Sequence, residues 1–339
     1  MATACSASNT QDEEIPAHAP ATNCKWPILM AFAALGVACG GTPRPSPEPT
    51  PGAAAGTVLT FVSGRDQQAV RQGTASVGGT SNSVTSDGTV ALGSRVEFGT
   101  PVEIDAPGFL LRKTRLRQSD SARFSLWPRN PDSPEHGEDY TAHLVYTSAV
   151  NDSPVAAEPL WTFGPNVHRV TLVIDPSLLG YEHSLSDLAT AATEMNAVLA
   201  PTITYAASTE RPTDGLVFNV KYDETPATCE QALAFTRLLL VGNEITGGEI
   251  TYCNPDARTT QVAIHEVGHT VGLRHSVDPF DIMQPYLLFD SSLQRHGFGE
   301  GEAVTMRMMR QRRPGNRFPD DDQDVTANAA QRTVTIVCH

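Results

Sequence analysis

The sequence is short of positive charge. It has 24 Lys and Arg against 38 Asp and Glu, a formal net charge of −14. Without a basic excess, electrostatic capture of a polyanion has no driving force, which excludes nucleic acid as a partner. The chain also lacks a hydrophobic run long enough to span a bilayer. Its apolar stretch at residues 28–38 has 11 residues, against about 20 for a spanning helix. The acidic stretch Asp320, Asp321, Asp322 and Asp324 lacks the glycine and closing glutamate of an EF-hand loop. It reads as a solvated acidic turn, with Ca2+ the other possibility. Six cysteines fit an oxidising compartment without requiring one.

What is present divides the chain. A length of 339 residues allows two domains, and a hydrophobic fraction of 40% supplies a core. Residues 28–38 follow Lys25 and precede Cys39, the layout of a secretion signal. Cys39-Gly40-Gly41 resembles a bacterial lipoprotein signal. That resemblance implies lipidation of Cys39, a membrane partner through the lipid, and a place on the cell envelope. Export with ordinary cleavage is the alternative. Residues 1–39 are therefore read as leader and signal. Residues 40–56, rich in alternate prolines, are read as a semi-rigid polyproline linker.

Residues 57–150 carry short apolar runs, Val58–Val62, Val90–Leu92 and Val102–Ile104, separated by Gly78-Gly79, Asp87-Gly88 and Pro107-Gly108. This predicts an antiparallel, all-β sandwich of about seven strands. Ser86–Val90 and Ala106–Phe109 resemble the carboxypeptidase-regulatory, transthyretin-like domains. Such a region is either a spacer packed on its neighbour or a binding module. Arg112, Lys113, Arg115 and Arg117 read as a solvated strand face.

From residue 160 the texture becomes mixed α and β, and 160–313 is read as one domain with 314–339 as an acidic tail. Val170–Ile174 is a buried strand. Ser184 and Asp187 suggest a capping box, and Leu185, Leu188, Ala192, Met195 and Leu199 recur at helical spacing. Thr228 and Gln231 suggest a second box ahead of a helix at 229–241. Residues 248–253 read as a strand, 306–312 as part of the final helix with its methionines in the core, and 332–338 as one further strand.

Residues 265–275 read His-Glu-Val-Gly-His-Thr-Val-Gly-Leu-Arg-His. On a helix His265 and His269 share a face and can grip one metal ion. Gly272 lets the chain turn sharply, so that His275 returns as a third ligand. Three protein ligands leave a fourth position for water, the arrangement of a catalytic Zn2+ rather than a structural one. Glu266, beside the first ligand, is placed to hold and deprotonate that water.

Eight residues after His275 stands Met283, in Asp-Ile-Met-Gln-Pro. The extended histidine motif followed by this methionine resembles the metzincin zinc peptidases, and Ser276 with the short spacing points to their matrixin branch. The resemblance implies an α+β catalytic domain built on a mixed twisted sheet. It implies His265, His269 and His275 as zinc ligands, Glu266 as general base and Met283 as the floor of the site. It also implies that Gly248, Glu249, Ile250, Thr251 and Tyr252 form a cleft edge on which a polypeptide substrate pairs as an added strand. Tyr286 is expected to line the specificity pocket or to stabilise the oxyanion. Cys229 and Cys253 are candidates to pair and brace this strand, which leaves Cys338 over. The reading is a metalloendopeptidase. The competing reading is a surface-anchored zinc-containing binding protein without turnover.

Overall fold

Seven short strands, β1 (Val58–Ser63) to β7 (Ser121–Leu126), open the described part of the chain. In this computed structural model the described residues are 56–117, 121–129, 140–147, 158–181, 184–230, 232–254, 259–285, 296–322 and 330–338. Alternation sets the faces. In β5 (Pro101–Asp105), Val102 and Ile104 point inward while Pro101, Glu103 and Asp105 face solvent. Gly78 and Gly79, both at positive φ, close a two-residue hairpin between β2 (Thr74–Val77) and β3 (Thr80–Ser83). β4 (Thr89–Ala91), β1 and β7 form one sheet; β3, β2, β5 and β6 (Arg112–Arg115) form another. Leu59, Phe61, Ala75, Val102, Ile104, Leu116 and Phe124 fill one core between them. One pairing departs from the antiparallel expectation: β1 and β7 run parallel. The chain leaves β6 in one sheet and enters the other as β7, and such a crossover permits a parallel partner.

The second region is built on a larger sheet with the order β10-β9-β11-β13-β12-β14, and β8 (Thr162–Phe163) beside the start of β13. β9 (Arg169–Ile174), β10 (Thr204–Ser208), β11 (Leu216–Tyr222) and β13 (Glu244–Tyr252) are parallel. β12 (Ala234–Val241) and β14 (Gln331–Cys338) are antiparallel to their neighbours. The nearly continuous burial of Val170, Thr171, Leu172 and Ile174 is that of a strand covered on both faces. After β9 come a short turn of helix, α1 (Pro176–Leu179), and then α2 (Ser184–Leu199). α2 packs on α3 (Thr260–His269) and lies near α4 (Glu300–Met309). Its core face is Leu188, Ala191, Ala192, Met195 and Leu199. Leu185, expected on that face, is 51% exposed, because it stands at the stripe's margin in the first turn. Asp187 accepts a hydrogen bond from Thr260 Oγ1 at 2.6 Å, which ties α2 to α3. Met306, Met308 and Met309 are buried in the core, as expected.

Residues 229–241 do not form the expected helix. A single 3-10 turn, Ala227–Glu230, precedes strand β12. An apolar run of this length does not distinguish helix from strand by period, and pairing with β13 on one side and β14 on the other decides the outcome. The informative signal was the loop. Val241 faces Glu244 across Gly242-Asn243, with Gly242 at φ 62°, a two-residue hairpin. Cys229 and Cys253 form a disulfide between the 3-10 turn and the end of β13, with Cα atoms 5.2 Å apart and a sequence separation of 24. A loop of that size implies about 3.5 kcal/mol of stabilisation from the cross-link. Replacing both cysteines with serine is expected to lower the denaturation midpoint accordingly; an unchanged midpoint would mean that the sheet alone holds this end.

Residues 320–322 run beside β6, with Lys113 N donating to Asp320 O at 2.9 Å and Asp322 N to Lys113 O at 3.0 Å. Asp320 and Asp322 are 0% and 1% exposed, so they are not a solvated turn. Arg112, expected on a solvated face, is buried between them. β6 alternates strictly, and Arg112 falls on its inward face with Thr114. Gly52–His339 is one compact unit.

Candidate metal centre

Helix α3 sets the first two histidines. Thr259 caps it by accepting from Val262 N, and one turn of helix then brings the His265 and His269 rings to 4.6 Å between centroids. The helix ends at His269 and the chain turns at Gly272, whose φ is 96°. A Cβ there would strike the backbone of Trp161, so glycine answers both the turn and the close approach. His275 comes back to 5.5 Å from the His265 ring and 5.1 Å from the His269 ring.

Two carbonyls fix the tautomers. Nδ1 of His265 lies 2.7 Å from Ile282 O, and Nδ1 of His269 lies 2.8 Å from Leu273 O. Each Nδ1 therefore carries the proton and donates, leaving each Nε2 with a lone pair. Those Nε2 atoms are 2.9 Å apart. Two bare lone pairs at that distance repel unless a cation lies between them, and two ligands of one tetrahedral Zn2+ would stand ~3.3 Å apart. One donor nitrogen from each of the three histidines fits within 4.8 Å of the others. All three are buried. Burial also pushes the His269 pKa well down, helped by its two neighbours, so the ring is neutral and available as a ligand. The donor set fits a single Zn2+ with a carbonyl behind each of two ligands.

Glu266 faces β12. Its Oε2 accepts from Thr236 Oγ1 at 2.6 Å, while Oε1 is buried with no hydrogen-bond partner among the described residues. Burial raises the carboxyl to about 8 in the metal-free protein, against the lowering effect of Thr236. Met283 is fully buried under α3: a Cβ on Gly268 would collide with its sulfur. The turn carrying Met283 is pinned at both ends. Ser276 N donates to Met283 O at 2.8 Å, and Met283 N donates to Glu302 Oε1 at 2.9 Å. Asp281 Oδ2 accepts from Ser276 Oγ and Tyr140 OH, both at 2.6 Å.

The structure thus brings His265, Glu266, His269, His275 and Met283 together. Residues 248–252 are corrected. They lie in the interior of the sheet, bonded to β11 on one side and β12 on the other, so their backbone has no free edge for a substrate. Tyr286 and Cys39 lie outside the described residues. Glu302, Asp281 and Thr236 were missed as site residues. Each acts across a long sequence gap or a loop; Glu302 stands at the N3 position of its helix, three residues after Gly299, but that spacing says nothing of its bond to Met283. Arg274 is also buried, stacked 4.1 Å over the Trp161 ring, and holds the segment between Gly272 and His275.

A family model described as matrixin (Peptidase_M10) matches residues 190–296. The span runs from within α2 through β10–β13 and α3 to beyond Met283. No curated protein matches the chain. Over those residues, about a third of the chain, the sequence is similar to the matrixins, a zinc-dependent metallopeptidase family, and the match supports a matrixin-like domain with a zinc metallopeptidase-type function.

Proposed function

We propose that the protein is a zinc-dependent endopeptidase that hydrolyses peptide bonds of extended polypeptides outside the cytoplasm. The observation that carries this reading is the convergence of three buried imidazoles, their Nδ1 atoms held by carbonyls, beside a buried carboxylate that is not needed as a ligand. A binding protein without turnover has no use for that carboxylate. His265, His269 and His275 would hold the ion. When bound, Zn2+ supplies a Lewis acid that acidifies a water and polarises the scissile carbonyl.

Glu266 does the proton work. Its Oε1 has no competing hydrogen-bond partner among the described residues and takes a proton from the attacking water as the new C–O bond forms. Thr236 holds Oε2 and so fixes the carboxylate plane. As the C–N bond breaks, Glu266 returns the proton to the leaving amine. Met283 and Glu302 keep the floor of the site in place. Export rests on the signal-like residues 28–38, with Cys39 as the lipid attachment point. Residues 57–150 would serve as a spacer or as a binding module.

The test is cleavage of a mixed peptide library by the zinc-loaded chain. Removing the metal with a chelator should abolish cleavage and stoichiometric Zn2+ should restore it. Cleavage that survives complete metal removal would sink the reading.

A further inference from the structure

β12 stands beside the candidate site, because Thr236, its third residue, carries the hydrogen bond to Glu266. Its inner side is taken by β13. Its outer side, the place where an extended chain could add to the sheet, is taken by β14. The pairing is antiparallel and unbroken, from Val241 against Gln331 to Ala234 against Cys338. Residues directly opposite one another point to the same face. Ile336 lies opposite Thr236 and Cys338 opposite Ala234, so these two side chains share the face that carries Glu266.

Burial is uneven along β14. Gln331, Arg332 and Thr333 are exposed, whereas Ile336 and Cys338 are 1% and 0% exposed. The strand is anchored at the end next to the metal centre. Leu233 N donates to Cys338 O at 3.0 Å, which fixes that end. The Cys338 sulfur, a nitrogen of His265 and a carboxylate oxygen of Glu266 all lie within 4.8 Å of one another. Glu266 Oε1 is buried there without a hydrogen-bond partner among the described residues. Of the three described cysteines, Cys338 is the one with a free thiol.

We infer that β14 is a self-docked strand that occupies the substrate's place on β12 and sets the Cys338 thiol across the approach to Glu266 and the metal site. This rests on the peptidase reading above. On it the chain has only residual activity while β14 is docked, and an extended segment with β-branched residues, as in Val334 and Ile336, is the kind of chain that competes for the same edge. Main-chain pairing supplies the affinity, and the alternate side chains supply the fit.

The test uses the full zinc-loaded chain. Cys338 is alkylated with iodoacetamide and its labelling is followed by mass spectrometry. A synthetic peptide with the sequence of β14, carrying serine in place of the cysteine, is the competitor. The expected result is slow labelling alone and at least tenfold faster labelling with the peptide. Ile336→Asp, which undocks the strand, should label fast and cleave a peptide library at least tenfold faster than the parent. Equal cleavage by parent and Ile336→Asp, both retaining zinc, overturns the inference and leaves the peptidase standing. Fast labelling with zinc retained, but no cleavage by either protein, sinks the peptidase reading instead. If Ile336→Asp loses its zinc or its secondary structure, peptide competition on the parent decides, and labelling that the peptide does not accelerate overturns the docking.

Discussion

Glu266→Gln is expected to lower kcat/KM for peptide hydrolysis by about 10^2–10^4-fold while the chain keeps one bound zinc. The amide preserves the shape and an oxygen for Thr236 Oγ1, which lies 2.6 Å from Oε2, but it cannot take a proton from water. Zinc should stay because the ligands are His265, His269 and His275. A variant that loses both metal and activity would make Glu266 a structural residue. The metal-free protein gives an independent reading. Burial raises the Glu266 carboxyl from 4.5 to about 8. The unfolded chain ionises this group first, so the metal-free parent loses stability as pH rises from about 4.5 to about 8, at about 1.4 kcal/mol per pH unit at most. The glutamine variant lacks that loss. Its chelated form should therefore melt above the chelated parent at pH 8 and level with it at pH 4. The depressed pKa of His269 works the other way, with stability lost as pH falls below about 6.5. It is common to both proteins and drops out of the comparison. Parallel melting curves at both pH values would refute the burial argument.

The metal centre was legible because its geometry is local. His265 and His269 need only one helical turn, and His275 needs only Gly272 at φ 96°. Met283 was legible through its distance from the last histidine. The residues that hold this core in place were not legible. Thr236 meets Glu266 across 30 residues, and Tyr140 meets Asp281 across 141. Neither contact leaves a periodic trace. Residues 248–252 were wrongly taken as a free sheet edge for a related reason. With 229–241 taken as helix, β13 was left as the last strand before the motif and so as the edge; once those residues pair as β12, β13 is interior. The sequence suggested a strand at 332–338 but could not say which strand it would join, because pairing partners are chosen by tertiary packing. The acidic stretch misled through composition alone, since a run of aspartates reads as solvent-facing until the buried arginine partners of Asp320 and Asp322 are located.

Those partners carry the second large effect. Arg112→Ala is expected to destabilise the protein by about 3–5 kcal/mol, lowering its melting temperature by roughly 10 °C. Arg112 Nη1 donates to Asp320 Oδ1 at 2.6 Å and Nη2 to Asp322 Oδ2 at 3.1 Å. Arg312 grips Asp320 with two further bonds, both 2.7 Å, and donates to Ser125 O at 2.9 Å. Asn316 Nδ2 adds a bond to Asp320 Oδ1 at 3.1 Å. All four charged side chains are nearly inaccessible to water. Removing one cation leaves two buried carboxylates with a single remaining buried arginine, and an uncompensated buried charge is far more costly than a lost surface contact. Arg65→Ala supplies the internal control. Arg65 pairs with Glu300 at 2.7 Å, but both side chains are well exposed, at 40% and 53%, so its loss should change stability by no more than about 1 kcal/mol. Both arginines link the first β region to the region that carries the histidines, and only burial separates them. Equal effects from the two substitutions would show that the buried network holds these regions no more firmly than a surface ion pair does. A difference of several kcal/mol would identify the Arg112–Asp320 contact, made across 208 residues of sequence, as a main tie between them.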